Sequence, residues 1–158
     1  MKLSAKINVI TLLSGLLALT LFSTSSYAAS VKVMEPYARA VPPGQPNSAA
    51  FMVLINDSDK DRALVDARSN ISKTVELHTH KKEDGMMRMR RIDRISVKAG
   101  SQTILKPGGL HVMFIGLKQQ LKEGDTVDLE LIFDDGSTVK LMIPVKIVAG
   151  MMRHRPVH

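Results

Sequence analysis

Short β-like runs recur along this chain, and the clearest of them alternates apolar with polar positions, the two-residue period of a strand with one face in a core and one in water. The runs fall at residues 31–34, 48–55, 74–80, 86–92, 101–105, 112–115, 127–133 and 138–145. Turn-forming clusters separate them: Pro42-Pro43-Gly44, Asn56-Asp57, Glu83-Asp84-Gly85, Pro107-Gly108-Gly109 and Asp134-Asp135-Gly136. Residues 127–133 alternate acid and aliphatic, and Asp135-Gly136 offers the positive φ angles of a tight hairpin leading into 138–145. Helical periodicity is weak, with 63–68 and 117–121 each long enough for a turn or two. Many short strands at this spacing predict an all-β antiparallel sandwich or barrel.

One stretch breaks the rhythm. Lys2 and Lys6 precede an apolar run from Ile7 to Phe22, and Ser26-Tyr27-Ala28 supplies small residues before a cleavage point. Asn8, Thr11, Ser14 and Gly15 interrupt the run, so residues 1–28 read as a signal peptide rather than a membrane span. Residues 29–148 then form one domain, and 149–158 a flexible tail without a core pattern. No later segment is long and apolar enough to span a membrane. Export turns attention away from nucleic acid, despite a formal charge of +7 and a pI near 9.8. The basic residues are dispersed, apart from Lys81-Lys82 and the group Arg88, Arg90, Arg91 and Arg94. These form a solvated face or steer the protein toward an acidic partner or an anionic surface. The sequence has no cysteine. Disulfides, thiolate ligation and thiol redox chemistry are therefore excluded within it, and the core alone must hold the domain together.

The candidate chemistry is concentrated. All five histidines lie either in residues 75–117 (His78, His80, His111) or in the tail (His154, His158). The same block holds Met86, Met87, Met89 and Met113. Strand parity puts His78 and His80 on one face, Met87 and Met89 on one face, and His111 with Met113 after the Pro107-Gly108-Gly109 turn. Met86 and Arg88 point the other way. A thioether is a soft, uncharged ligand that binds hard cations poorly, and mixed with imidazole it points to Cu(I). Met34, Met52 and Met142 read as core fillers. Enzymatic readings find no footing: there is no His-Glu-x-x-His, no cysteine nucleophile and no nucleophile elbow. Glu83 and Asp84 belong to a turn, as do Gly108 and Gly109.

The spacing His78-x10-Met89-x21-His111-x-Met113 resembles the signature of the periplasmic copper chaperone family called PCuAC, formerly a domain of unknown function. The context is similar too: Tyr37-Ala38-Arg39-Ala40, Val75-Glu76-Leu77-His78, Met87-Arg88-Met89-Arg90, Leu105 to Met113, and Gly124-Asp125-Thr126-Val127. The resemblance implies a cupredoxin-like Greek-key β-sandwich binding Cu(I) near one end, with His78, Met89, His111 and Met113 as ligands. It also implies a periplasmic carrier that loads the copper sites of respiratory cytochrome oxidases, notably the copper A centre, directly or through another copper chaperone. A sequestration or resistance protein is the alternative with copper; a metal-free adhesion sandwich is the alternative without it. His80, beside His78, either competes for the metal or supports it. Met151, Met152, His154 and His158 form a candidate second copper site, set against a plain basic tail.

Overall fold

The short runs become ten strands in the computed structural model, which describes residues 30–148. The expected signal peptide and the Met/His tail lie outside the described residues. The strands are β1 (Val31–Arg39), β2 (Asn47–Asn56), β3 (Arg62–Arg68), β4 (Ser72–Glu83) and β5 (Met86–Arg91). β6 (Ile95–Val97), β7 (Ser101–Leu105), β8 (His111–Leu117), β9 (Thr126–Phe133) and β10 (Thr138–Lys146) follow. No helix occurs among the described residues.

Hydrogen bonding runs in the order β5-β4-β8-β2-β1-β10-β9-β3-β6, with β7 also on β2. The path folds into two layers. β5, β4, β8, β2, β7 and β1 form one; β10, β9, β3 and β6 form the other, joined through a short parallel pairing of Ala38 with Val145 and Arg39 with Lys146. The inner faces meet in a single core. Ala50, Met52, Leu54, Leu77, Val112 and Phe114 come from the first layer, and Leu64, Ile95, Val97, Leu129, Leu131, Phe133 and Ile143 from the second. Burying each larger side chain contributes about 1.5–3 kcal/mol, and without cross-links this is what opposes the entropy of the chain.

Two readings of the sequence are corrected, and one strand that it did not suggest is added. Residues 63–68 are strand β3, not helix. A register shift between Leu64 and Asp66 marks a bulge that breaks the two-residue period and leaves Ala63, Leu64 and Ala67 at a helix-like spacing. β6 is three residues long, too short to carry a pattern. Residues 117–121 end β8 and continue as bends.

The β9–β10 turn is longer than Asp135-Gly136 alone. The Gly136 N–H donates to the Phe133 carbonyl (3.0 Å), the Phe133 N–H donates to the Ser137 carbonyl (2.9 Å), and of the two only Gly136 has positive φ. The Asp135 carboxylate instead accepts from the Ser137 N–H and hydroxyl. Met52 is in the core, as expected, but Met34 and Met142 are 50% and 67% exposed. Met142 sits on the outer face of β10, between inward Ile143 and half-buried Leu141; Met34 abuts a register shift in β1.

Candidate metal centre

The outer face of the first layer gathers the candidate donors, because Leu77, Val112 and Phe114 claim the inner face and parity sends their neighbours outward. Register then sets who meets whom. Glu76 lies opposite Met113 and His78 opposite His111 across β4 and β8; His80 lies opposite Met89 across β4 and β5. Directly opposed side chains in an antiparallel pair have Cβ atoms about 4.5–5.5 Å apart.

Met87 shares this face, opposite Lys82, while Met86, Arg88 and Arg90 take the other. There Glu83 accepts a two-pronged pairing from Arg90 and lies 3.9 Å from Arg88. The hairpin between β4 and β5 closes on Asp84-Gly85, with φ of 51° and 80°, the mirror-image turn that suits twisted strands.

The connection between β7 and β8 supplies the second side of the site. The Lys106 N–H bonds the Leu110 carbonyl (2.9 Å) and the Gly109 N–H bonds the Lys106 carbonyl (3.0 Å), fixing a tight loop. The Gly109 carbonyl faces two imidazoles, 3.0 Å from His111 Nδ1 and 3.4 Å from His80 Nδ1. A ring that donates from Nδ1 carries its lone pair on Nε2, the tautomer a metal ligand needs.

A cavity of about 190 Å³ opens here, lined by His80, Met89, His111 and Met113, with Arg39 and Phe51 among its walls. His111 is 2% exposed. Its ring lies 5.3 Å from that of His80, 5.7 Å from His78 and 6.3 Å from Phe51, centroid to centroid. Burial pushes the His111 imidazole below its ordinary pKa; the Gly109 carbonyl opposes this, and His80, His78 and Arg39 reinforce it. The shift favours the neutral ring, the form that ligation requires.

His78 is placed differently. It lies beside His111 but not on the cavity wall; its Nε2 is 2.7 Å from Glu76 Oε2, and its Nδ1 is buried without a hydrogen-bond partner. Glu76 also lies 3.6 Å from Arg91. Three of the four expected residues thus line one cavity, and His80 lines it with them.

Glu76, Arg39, Phe51 and the Gly109 carbonyl are site components that the sequence reading did not single out. Parity alone flags Glu76, two residues before His78; the others arrive through long-range pairing. Among the described residues no three His, Asp or Glu side chains converge as a metal site. The side chains gathered here combine methionine thioethers with imidazoles, a donor pairing that suits soft ions better than hard ones. A larger cavity of about 500 Å³, lined in part by Arg68, Asp128, Glu130, Lys140 and Met142, lies on the other layer. It holds mixed charges and no histidine.

The LpqE-like family, named for a lipoprotein, matches residues 31–145. Lxx21020 of Leifsonia xyli subsp. xyli, also named as a lipoprotein, is 32% identical over 124 residues, 78% of this chain and 74% of that one. Protein RP573 of Rickettsia prowazekii is 30% identical over 113 residues, 69% of this chain and 62% of that one. Among solved structures, Cu(I)-bound DR1885 from Deinococcus radiodurans is 33% identical, covering 80% of this chain and 85% of that one, with a TM-score of 0.64. The copper-bound PCuAC domain from PmoF2 is 23% identical over 77% of this chain and 97% of that one, with a TM-score of 0.65. The fold is the cupredoxin-like β-sandwich of these PCuAC domains.

Proposed function

Because the chain belongs to the LpqE-like family and has the fold of PCuAC copper-binding domains, we propose that it is a Cu(I) metallochaperone, exported to the periplasm, and not an enzyme. The observation that carries the reading is the convergence of Met89, Met113 and His111 on one cavity beside the His78–His80 strand. The ligand frame is Met89, His111 and Met113 with a histidine of β4 at the first corner, a place the family pattern gives to His78. Such a frame favours Cu(I) over Zn(II) and hard ions, and it needs no thiolate. Its cargo is held by a partly open site: His111 is buried while Met89 is 40% exposed. An acceptor's donor atom displaces Met89 first while the inner ligands still hold the ion. The recipient in this reading is a copper site of a respiratory cytochrome oxidase, the copper A centre above all, reached directly or through a second chaperone. A second copper at Met151, Met152, His154 and His158 is the reading for the tail.

Replacing Met89 or Met113 by leucine keeps volume and removes sulfur. Competition with a chromophoric Cu(I) chelator should show each variant binding at least about tenfold more weakly; wild-type affinity in both would overturn the site. Delivery is read in a deletion strain. Loss of oxidase activity at low copper is expected, whereas loss of tolerance at high copper with intact oxidase would mark a sequestering protein.

A further inference from the structure

Resting on the copper reading above, we infer that His80 is a metal ligand of this chain, the nitrogen donor that closes the cavity between Met89 and His111. Four observations carry it. His80 lines the cavity with Met89, His111 and Met113, and His78 does not. Register sets His80 directly opposite Met89, whereas His78 is flanked by His111 and Arg91. His80 and His111 both turn Nδ1 to the Gly109 carbonyl, so one backbone oxygen directs both Nε2 lone pairs away from the loop. His78, by contrast, has its Nε2 held by the Glu76 carboxylate at 2.7 Å, and its free nitrogen is enclosed.

The consequence is a site with three imidazoles for two nitrogen places. His111 is common to both arrangements. His80 serves the cavity, and His78, steadied by Glu76 and through it by Arg91, stands behind as the inner alternative. A carrier with such a pair loosens one nitrogen without dropping below three donors, which suits hand-over by stepwise ligand exchange. Its chemistry selects an acceptor that offers soft donors from the Met89 side.

The test uses the full chain with His80→Gln, His78→Gln and His80→Met. Cu(I) affinity is read by chelator competition, and nitrogen and sulfur neighbours are counted by X-ray absorption. His80→Gln is expected to weaken binding about tenfold or more and to remove one nitrogen neighbour, with a smaller loss for His78→Gln. His80→Met is expected to recover affinity while exchanging that nitrogen for sulfur, which a merely structural role for His80 would not produce. Thermal unfolding of the metal-free variants checks that each is folded; if His80→Gln is not, His80→Met decides by its neighbour count. Wild-type affinity and nitrogen count in His80→Gln, with both lost in His78→Gln, would overturn the inference while leaving the copper reading intact. A wild-type chain that takes up no Cu(I) overturns the copper reading itself.

Discussion

His111 lies on the outer face of a sheet yet is almost wholly covered, because the His80, His78 and Phe51 rings surround it. A histidine in that position carries a proton badly. Its folded-state pKa is pushed below the ordinary value of about 6.5, chiefly by burial. Between the two pKa values the unfolded chain binds more protons than the folded one, so this group's contribution to stability is full above about 6.5 and is lost as pH falls through the folded value. Proton competition with a metal at Nε2 follows the same window. Cu(I) binding should hold as pH drops to 6.5 as far as His111 decides it, and fail only below. A proton NMR titration of the ring, with melts at neutral and mildly acid pH, checks both effects. Titration of His111 at or above 6.5 would remove the basis for each.

At the scale of elements, the β4–β5 hairpin is the least supported part of the site. β5 is an edge strand with all six residues exposed, paired to β4 alone. Its register depends on the Asp84-Gly85 turn and on the Glu83–Arg90 pair, a surface interaction worth about 0–1 kcal/mol. Gly85 has φ of 80°, and a Cβ there would meet no atom within 4 Å, so Gly85→Ala costs conformational energy only, about 1–2 kcal/mol. That cost falls on local opening rather than on the core. Amide exchange across Met86–Arg91 should accelerate severalfold while the global melt moves little, and Cu(I) affinity should fall because Met89 rides on this strand. Unchanged exchange there would show that the turn does not hold the hairpin.

The same elements explain what could be read in advance. β9 and β10 alternate cleanly, and parity alone paired His111 with Met113 and separated Met89 from Met86. A bulge hid β3, and a length of three residues hid β6. Which of His78 and His80 reaches the cavity was not legible. It depends on β8 starting at His111, so that Gly109 rather than another strand residue sits beside His80, and that is a matter of pairing across the sheet. Arg39 and Phe51 were hidden for the same reason: β1 and β2 bring them to the cavity through contacts remote in sequence.

The molecule as a whole has only its packing to rely on. Its family is named for a lipoprotein, yet its 158 residues include no cysteine sulfur for a thioether-linked lipid or a disulfide. Total stability of about 5–15 kcal/mol is usual for a domain of this kind, so a ligand bound only by the folded state weighs heavily. β8 carries both consequences on its two faces. Phe114 points inward at 0% exposure and Met113 outward, half-buried. Phe114→Ala should cost about 3–5 kcal/mol and lower the melt of the metal-free protein sharply. Met113→Leu should barely move that melt, since it preserves volume on the outer face. Free Cu(I) at a hundredfold excess over its dissociation constant adds about 2.7 kcal/mol to a folded state that binds it, a rise on the order of 10 °C for a domain of this size. The wild type and, from its lower baseline, Phe114→Ala should both show that rise, and Met113→Leu should lose much of it. Thermal scans of the three proteins with and without Cu(I) separate core from site. An equal rise in Met113→Leu and wild type would mean that copper stabilises the fold from somewhere other than this cavity.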